Sequence, residues 1–343
     1  MRPSTYTLPV RNRQALLVRR PTGIPAAEDF EVSPSEVPQV SDGRFLVRNL
    51  YLSVDPAQRG WAADSANYSA AVPLGTTMRA LAVGVVTASR CDGVQAGEVL
   101  YGWFGWQYFS LAEPKDILLR GHFPVPIIQY LGLLGINGLA AYLALHDIGR
   151  PRAGDTLLVS TAAGAVGSLA GQIGKILGCR TIGLTGTDEK AERCRAKYRY
   201  DVAINYRDGD WIKQLAQAVG DGVDVFFDNT GGPILDAAIR HMAVGGRIIQ
   251  CGTVAISSWS GSPQGPRNER EMLVRRLLWG GFVIFDHQLR FEAAAAQLAR
   301  WYLDGLLSCD VDLSTGIDSA PGAIESLYAG RNDGKKIIDV SAA

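Results

Sequence analysis

The sequence predicts an α/β protein, a doubly wound parallel sheet that follows a separate, mostly β module. Three observations carry this expectation. After Pro151, apolar runs alternate with helical periods, in the order TLLVS, a Gly-rich turn and helix, CRTIGLT, a charged helix, DVAINY, a helix from about Asp208, DVFFD, another helix and GRIIQCG. A repeated β-α order of this kind implies parallel strands with helices on both faces. From Arg44 to about Leu119 the text changes to short runs rich in Val, Leu and Tyr, punctuated by Pro and Gly, as in RFLVRNLYLSVDP and LAVGVVTASRCDGVQAGEVLYG. That is the pattern of strands and turns. A chain of 343 residues also exceeds one average domain of roughly 150 residues, so two cores are expected.

The remaining elements follow in order. The apolar stretch Ile127 to Leu145 contains Gln129, Tyr130, Asn137 and three glycines, Gly132, Gly135 and Gly138. It reads as a buried helix rather than a membrane span, because polar groups in hydrocarbon would go unpaired. GFVIFDH supplies a further apolar run, with Gly281 to Phe285 expected as the edge strand of the sheet. FEAAAAQLARWYL is helical, and GKKIIDVS reads as a strand that returns to the first module.

Composition narrows the function. Hydrophobic residues make up 47% and charged residues 20%, an ordinary globular balance. Lys plus Arg and Asp plus Glu are both 34, so no long-range attraction to nucleic acid or acidic membranes is expected. The five cysteines are isolated, with no metal-clip or disulfide spacing, and the first twenty residues lack the apolar run of a secretory signal. A cytoplasmic location is expected.

The segment VSTAAGAVGSLAGQIGK follows a strand and opens a helix, the context that gives a Gly-rich turn its meaning. Gly164 lets the backbone approach a pyrophosphate and Gly167 lets helix and strand pack closely. The helix-start N–H groups of Ala163, Gly164, Ala165, Val166 and Gly167 provide an anion site, so a dinucleotide is expected. Sites that prefer NAD carry an acidic residue about 20 residues further on. Here Thr185 and Gly186 stand there, and Lys190 follows, which points to the 2′-phosphate of NADPH. The alternative is that Lys190 is a solvated helix residue, paired with Asp188 or Glu189.

Six segments together resemble the leukotriene/prostaglandin reductase and alkenal double-bond reductase branch of the zinc-independent medium-chain dehydrogenase/reductases. They are NLYLSVDP (Asn49 to Pro56), LGTTMRALAVGVV (Leu74 to Val86), AAGAVGS (Ala162 to Ser168), FDNTGG (Phe227 to Gly232), CGTVA (Cys251 to Ala255) and RNDGK (Arg331 to Lys335). The resemblance covers nearly the whole chain. It implies a GroES-like β-barrel catalytic domain over 1–127, completed by 306–343, beside a Rossmann NADPH-binding domain over 128–305, with the active site in the cleft between them and a homodimer as the assembly. It implies further that Lys190 and Tyr206 contact the 2′-phosphate and that Asn229 lies near the cofactor. Cys251, Gly252 and Thr253 would run beside it, Phe282, Val283 and Ile284 would flank the nicotinamide, and Asn332 would bind from the returning tail. The zinc-binding relatives carry Cys and His ligands in the first module. This chain has only Cys91 and His122 there, too few for a tetrahedral site, so no metal is expected.

The implied chemistry is reduction of the carbon–carbon double bond of an enal or enone, a small-molecule substrate. Two departures touch it: Ala57 and Gln58 replace a Tyr-Met pair found in many relatives, and Ser257 and Trp259 stand where many carry a Tyr. Tyr68, in ANYSAAVPLG, matches a pocket tyrosine of relatives and is the candidate donor to the substrate oxygen. Tyr51, Trp61 and Trp259 are candidate pocket residues, from an aromatic set that includes Trp103, Phe104 and Trp106. The bland reading is that these fill the core. Two other functions stay open: quinone or carbonyl reduction on the same scaffold, and a catalytically silent NADPH-binding regulatory protein.

Overall fold

The computed structural model describes residues 11–64, 68–255 and 265–342. The chain divides into two units, Met1–Gly135 with Val311–Ala343, and Ile136–Asp310. In the first, β1 (Asn12–Leu17), β2 (Phe30–Ser35) and β4 (Thr76–Thr77) form a small antiparallel sheet around β1. A larger sheet is centred on β3 (Phe45–Ser53), which pairs antiparallel with β5 (Ala82–Ser89) and β7 (Phe109–Ala112). β6 (Val99–Gly102) and β8 (Ile117–Arg120) extend it beyond β5. A short helix, α1 (Ala57–Ala62), follows β3 after the Asp55-Pro56 pair.

β3 is buried along nearly its whole length, so its polar members must find partners inside. Arg48 does so by donating from Nη2 to the Val340 carbonyl at 2.7 Å and from Nη1 to the Asn49 carbonyl at 2.6 Å. Its guanidinium also lies 5.1 Å from the Tyr108 ring and 5.5 Å from the Phe109 ring.

The apolar stretch after Pro126 is not one helix. A 3-10 turn over Ile127–Tyr130 gives way to turns, and α2 spans only Ile136–Ala144. Gly135 packs where a Cβ would lie 2.6 Å from the Tyr130 carbonyl, and this bend is where the first unit ends and the second begins. No helix among the described residues is long and apolar enough to cross a membrane.

The second unit alternates strand and helix as the sequence predicts: β9 (Thr156–Ser160), α3 (Ala165–Ile176), β10 (Arg180–Thr185), α4 (Asp188–Ala196), β11 (Val202–Asn205), α5 (Trp211–Val219), β12 (Val223–Asp228), α6 (Gly232–Ile239) and β13 (Met242–Gln250). α7 (Glu269–Arg275), β14 (Leu278–Gly281) and α8 (Phe291–Leu303) complete it. The six strands are parallel, in the order β11-β10-β9-β12-β13-β14. The order reverses between β9 and β12, and ligands of open α/β sheets bind beyond the strand C-termini at such a point. α8 shows why these helices form: Ala and Leu favour the conformation. Its buried residues Phe291, Ala294, Ala295, Leu298 and Ala299 recur at one-face spacing.

One expected strand is displaced. β14 lies at Leu278–Gly281, earlier than Gly281 to Phe285, and a 3-10 stretch begins at Ile284. Its neighbour β13 ends at Gln250, paired with Gly281, and after a last bond from Phe282 N–H to the Gln250 carbonyl at 3.0 Å no ladder remains to extend. The boundary after α8 also falls later than residue 305. Ser308 and Asp310 stay with this unit because Gln172 Nε2 donates to the Ser308 carbonyl at 2.9 Å and Tyr198 Oη donates to Asp310 Oδ2 at 2.8 Å.

The chain then returns to the first unit through β15 (Val311–Thr315), α9 (Ala323–Tyr328) and β16 (Lys335–Asp339). β16 pairs antiparallel with β3, and Lys335 at its start is buried with its Nζ 2.5 Å from Asp55 Oδ1 and 2.7 Å from the Val54 carbonyl. Ser53 Oγ donates to the other Asp55 oxygen, and Asp55 N–H donates to Gln58 Oε1 at 2.9 Å. This ion pair locks the tail to the end of β3. Lys335→Met should therefore leave a buried carboxylate unpaired and cost about 3 to 5 kcal/mol, read as a lower urea midpoint, whereas Lys335→Met with Asp55→Leu should recover most of the loss. A single-variant loss below about 1 kcal/mol would contradict the assigned role.

Candidate functional site

The C-terminal ends of β9, β10, β12 and β13 carry the site residues of the second unit. After Ser160 the chain turns through Thr161, which adopts a left-handed φ of 52°, a conformation a β-branched residue takes only when its surroundings impose it. Thr161 is held by Gly164 N–H donating to its carbonyl at 2.8 Å and by its Oγ1 lying 3.0 Å from Thr230 Oγ1. α3 starts immediately after Gly164. Its first internal bond runs from Ser168 N–H to the Gly164 carbonyl, which leaves the Ala165, Val166 and Gly167 N–H groups without an intrahelical acceptor. A Cβ on Gly167 would lie 2.2 Å from the Thr161 carbonyl, so only glycine lets the helix start sit against the turn. This is the cradle a pyrophosphate needs, built from backbone alone.

β10 ends at Thr185, which is buried and donates from Oγ1 to the Thr187 carbonyl at 3.1 Å. Gly186 follows. A Cβ there would meet Tyr206 Oη at 3.0 Å, with Arg207 Nε 3.6 Å away. Thr187 caps α4 by accepting from Lys190 N–H at 3.2 Å, placing Lys190 one turn into the helix. The Lys190 ammonium is held below its ordinary pKa, first by burial and then by Arg193 and Arg207. Asp188 accepts from Asn205 Nδ2 at 3.0 Å. Tyr206 and Arg207 thus stand against Gly186, where an NAD site would present a carboxylate, and Lys190 in the first turn of α4 lies near enough to feel the charge of Arg207. The sequence reading missed Arg207, whose only signal is its place after Tyr206.

A hydrogen-bond network that the sequence reading also missed joins the other strand ends. Ser160 Oγ donates to Asp228 Oδ1 at 2.7 Å, Thr230 and Gly231 donate backbone N–H groups to the same carboxylate, and Gln250 Nε2 donates to Oδ2 at 2.9 Å. Asn229 is pinned by donating from Nδ2 to the Ser160 carbonyl at 2.9 Å. The Asp228 carbonyl accepts from Cys251 and Gly252 N–H at 2.8 and 3.1 Å, and the Ala255 N–H reaches Thr230. Burial and the Asp228 carboxylate push the Cys251 thiol up to about 12, so it is a neutral thiol rather than a nucleophile. Phe282 and Ile284 are both buried, with Val283 between them, and the Phe282 ring stacks on His287 with centroids 4.7 Å apart.

In the first unit, Trp61 is wholly buried, edge-on to Trp103 at 5.3 Å, and Phe104 and Trp106 are equally buried, so these rings fill the core. Tyr51 is half-buried in β3. Tyr68 is 53% exposed, and the neighbouring Arg79 holds its loop by donating to Ser69 Oγ at 2.6 Å and to the Ala70 carbonyl at 2.9 Å. Asn332 donates from Nδ2 to the Gly334 carbonyl at 2.7 Å within the returning loop. Trp259 and Ser257 lie outside the described residues. Among the described residues no three His, Cys, Asp or Glu side chains group to hold a metal, and the cysteines are free thiols.

Residues 13–119 match the family model described as the N-terminal domain of oxidoreductase, and residues 165–300 match that described as zinc-binding dehydrogenase. The chain is 41% identical over 336 residues to a Bacillus subtilis (strain 168) protein described as an NADP-dependent oxidoreductase, covering 96% of this chain and 98% of that one. It is 33% identical over 339 residues to the NADP(+)-dependent 2-alkenal reductase of Nicotiana tabacum, covering 97% and 98%. The crystal structure of CurA from Vibrio vulnificus in complex with NADPH superposes with a TM-score of 0.90 at 35% identity, covering 95% of this chain and 98% of that one.

Proposed function

Because the chain belongs to the zinc-independent medium-chain dehydrogenase/reductase family, in its alkenal and prostaglandin reductase branch, we propose that it uses NADPH to reduce the carbon–carbon double bond of α,β-unsaturated aldehydes or ketones. The observation that carries the cofactor is the placing of Tyr206 and Arg207 against Gly186, with Lys190 close enough to Arg207 to feel its charge. The site fits the whole dinucleotide: a backbone cradle for the pyrophosphate, cations for the 2′-phosphate and a pinned Asn229 beyond the switch point. The relatives that act on alkenals support the substrate class. NADPH, when bound, supplies a hydride. The chain's part is to hold both ends of that cofactor, with Asn332 contributing from the returning tail, and to stabilise the charge that hydride addition builds on the substrate oxygen. In this reading the Tyr68 hydroxyl donates to that oxygen and Arg79 holds its loop in place. Tyr51 and Trp259 remain proposed substrate contacts.

Assembly as a homodimer is part of the same proposal. β14 is a sheet edge, and its Leu278 and Trp279 are exposed, an edge that needs covering. Light scattering should give twice the chain mass of 36.9 kDa, and a monomer at micromolar concentration would refute the dimer.

NADPH should bind more tightly than NADH, and Lys190→Ala and Arg207→Ala should each weaken NADPH by about ten- to a hundred-fold while leaving NADH nearly unchanged. Fluorescence titration checks this. Equal weakening of both cofactors would dissociate these residues from the 2′-phosphate.

With NADPH, an enone should yield the saturated ketone, and Tyr68→Phe should lower kcat by about a hundred-fold at unchanged NADPH affinity. Product identification and steady-state kinetics decide it. An allylic alcohol would indicate carbonyl reduction, turnover of quinones alone would indicate a quinone reductase, and binding without turnover would indicate a silent protein.

A further inference from the structure

Asp228, the last residue of β12, is wholly buried, and among the described residues the groups hydrogen-bonded to its carboxylate are all donors. The Thr230 and Gly231 backbone N–H groups reach it at 2.9 Å, and such groups cannot reverse. Ser160 Oγ already accepts from Asn229 N–H at 2.8 Å, so its own proton goes to Asp228. Gln250 Oε1 accepts from Trp279 Nε1 at 3.2 Å, which turns its Nε2 toward Asp228. A carboxylic acid would set its own O–H against one of these donors, so the shell holds the anion. Burial holds the pKa of Asp228 above the ordinary carboxylate value, and the bonds from Ser160, Thr230, Gln250 and Gly231 limit that rise. Among the described residues no lysine, arginine or histidine forms an ion pair with it. The molecule thus buries one negative charge on hydrogen bonds alone.

That charge sits at the switch point, where β9 and β12 are neighbours and the strand order reverses. The pyrophosphate cradle and the Lys190 group lie on the β9 and β10 side, which assigns the adenosine half of a dinucleotide to that side and the nicotinamide half to β12, β13 and β14. Hydride transfer breaks a C–H bond of the reduced nicotinamide, sends both electrons with the hydrogen to the acceptor carbon and leaves the ring with one added positive charge.

Resting on the NADPH reading above, we propose that the Asp228 carboxylate favours the oxidised nicotinamide over the reduced one and so makes bound NADPH a stronger hydride donor. The carboxylate acts through its charge rather than by contact. Because its donors are fixed before the cofactor arrives, its field needs no reorganisation during the reaction. A unit charge on that side of the crevice, screened as in a typical protein interior, changes the relative affinity for the two cofactor forms by about tenfold.

The test is calorimetric titration of the wild type, Asp228→Asn and Ser160→Ala with NADPH and with NADP+ separately, without substrate, alongside melting of each unliganded protein. Asp228→Asn should raise the ratio Kd(NADP+)/Kd(NADPH) by about tenfold. Ser160→Ala, which removes one donor but keeps the charge, should weaken both forms alike and leave that ratio within about twofold. If Asp228→Asn weakens both forms equally, the residue only braces the turns and the inference is overturned. Should that variant not fold, the wild type decides: NADP+ is expected to bind more tightly than NADPH, and the reverse order overturns the inference. A wild type that binds neither form would instead remove the NADPH reading.

Discussion

The hydrogen bond from Ser160 to Asp228 is the contact on which the dinucleotide crevice depends. It joins the ends of two directly paired strands, just beyond Val159 and Phe227, where the strand order reverses and a parallel sheet can admit a ligand. Everything beyond those ends hangs from it. The Asn229 to Gly231 turn is tied to the carboxylate, the Cys251 to Gly252 segment is tied to the carbonyl of the same residue, and Gln250 carries the network across to Trp279 on β14. Asp228 thus links the ends of three strands, through its carboxylate to Ser160 and Gln250 and through its carbonyl to the Cys251 to Gly252 segment.

Asp55 and Asp228, both buried, are held in opposite ways. Asp55 is neutralised by Lys335, and the pair serves to fasten the returning tail onto β3. Such a pair costs desolvation on both sides, and its worth lies in specifying which strand end the tail meets. Asp228 has donors and, among the described residues, no cation paired with it. A charge left uncompensated in this way is expensive to bury for packing alone, and its position at the crevice gives the expense a functional reason.

Much of the second unit was legible in the sequence because its signals are local. The alternation of TLLVS, CRTIGLT and DVFFD with helical periods gave the strand order its character, and FEAAAAQLARWYL gave α8 over the residues Phe291–Leu303 that form it. The Gly164 and Gly167 turn was likewise readable, since the steric demand that Gly167 meets comes from a residue only six positions earlier. What sequence could not disclose depends on neighbours in space. GFVIFDH has the composition of a strand, yet its partner β13 ends at Gln250, and among the described residues no strand pairs with it further on. The Asp228 network joins residues 68 and 22 positions away, and Lys335 meets Asp55 across 280 residues. For Trp61, pocket and core readings both stood in the sequence, because an aromatic's burial on all sides cannot be seen from its neighbours in the chain.

In the proposed function this site directs hydride to a carbon–carbon double bond rather than to a carbonyl. The most direct measurement follows the hydride itself, by incubating the protein with NADPH deuterated at the nicotinamide C4 and an enone and locating the label in the product by NMR. Deuterium is expected on the β-carbon of a saturated ketone. Deuterium on the carbinol carbon of an allylic alcohol would contradict it.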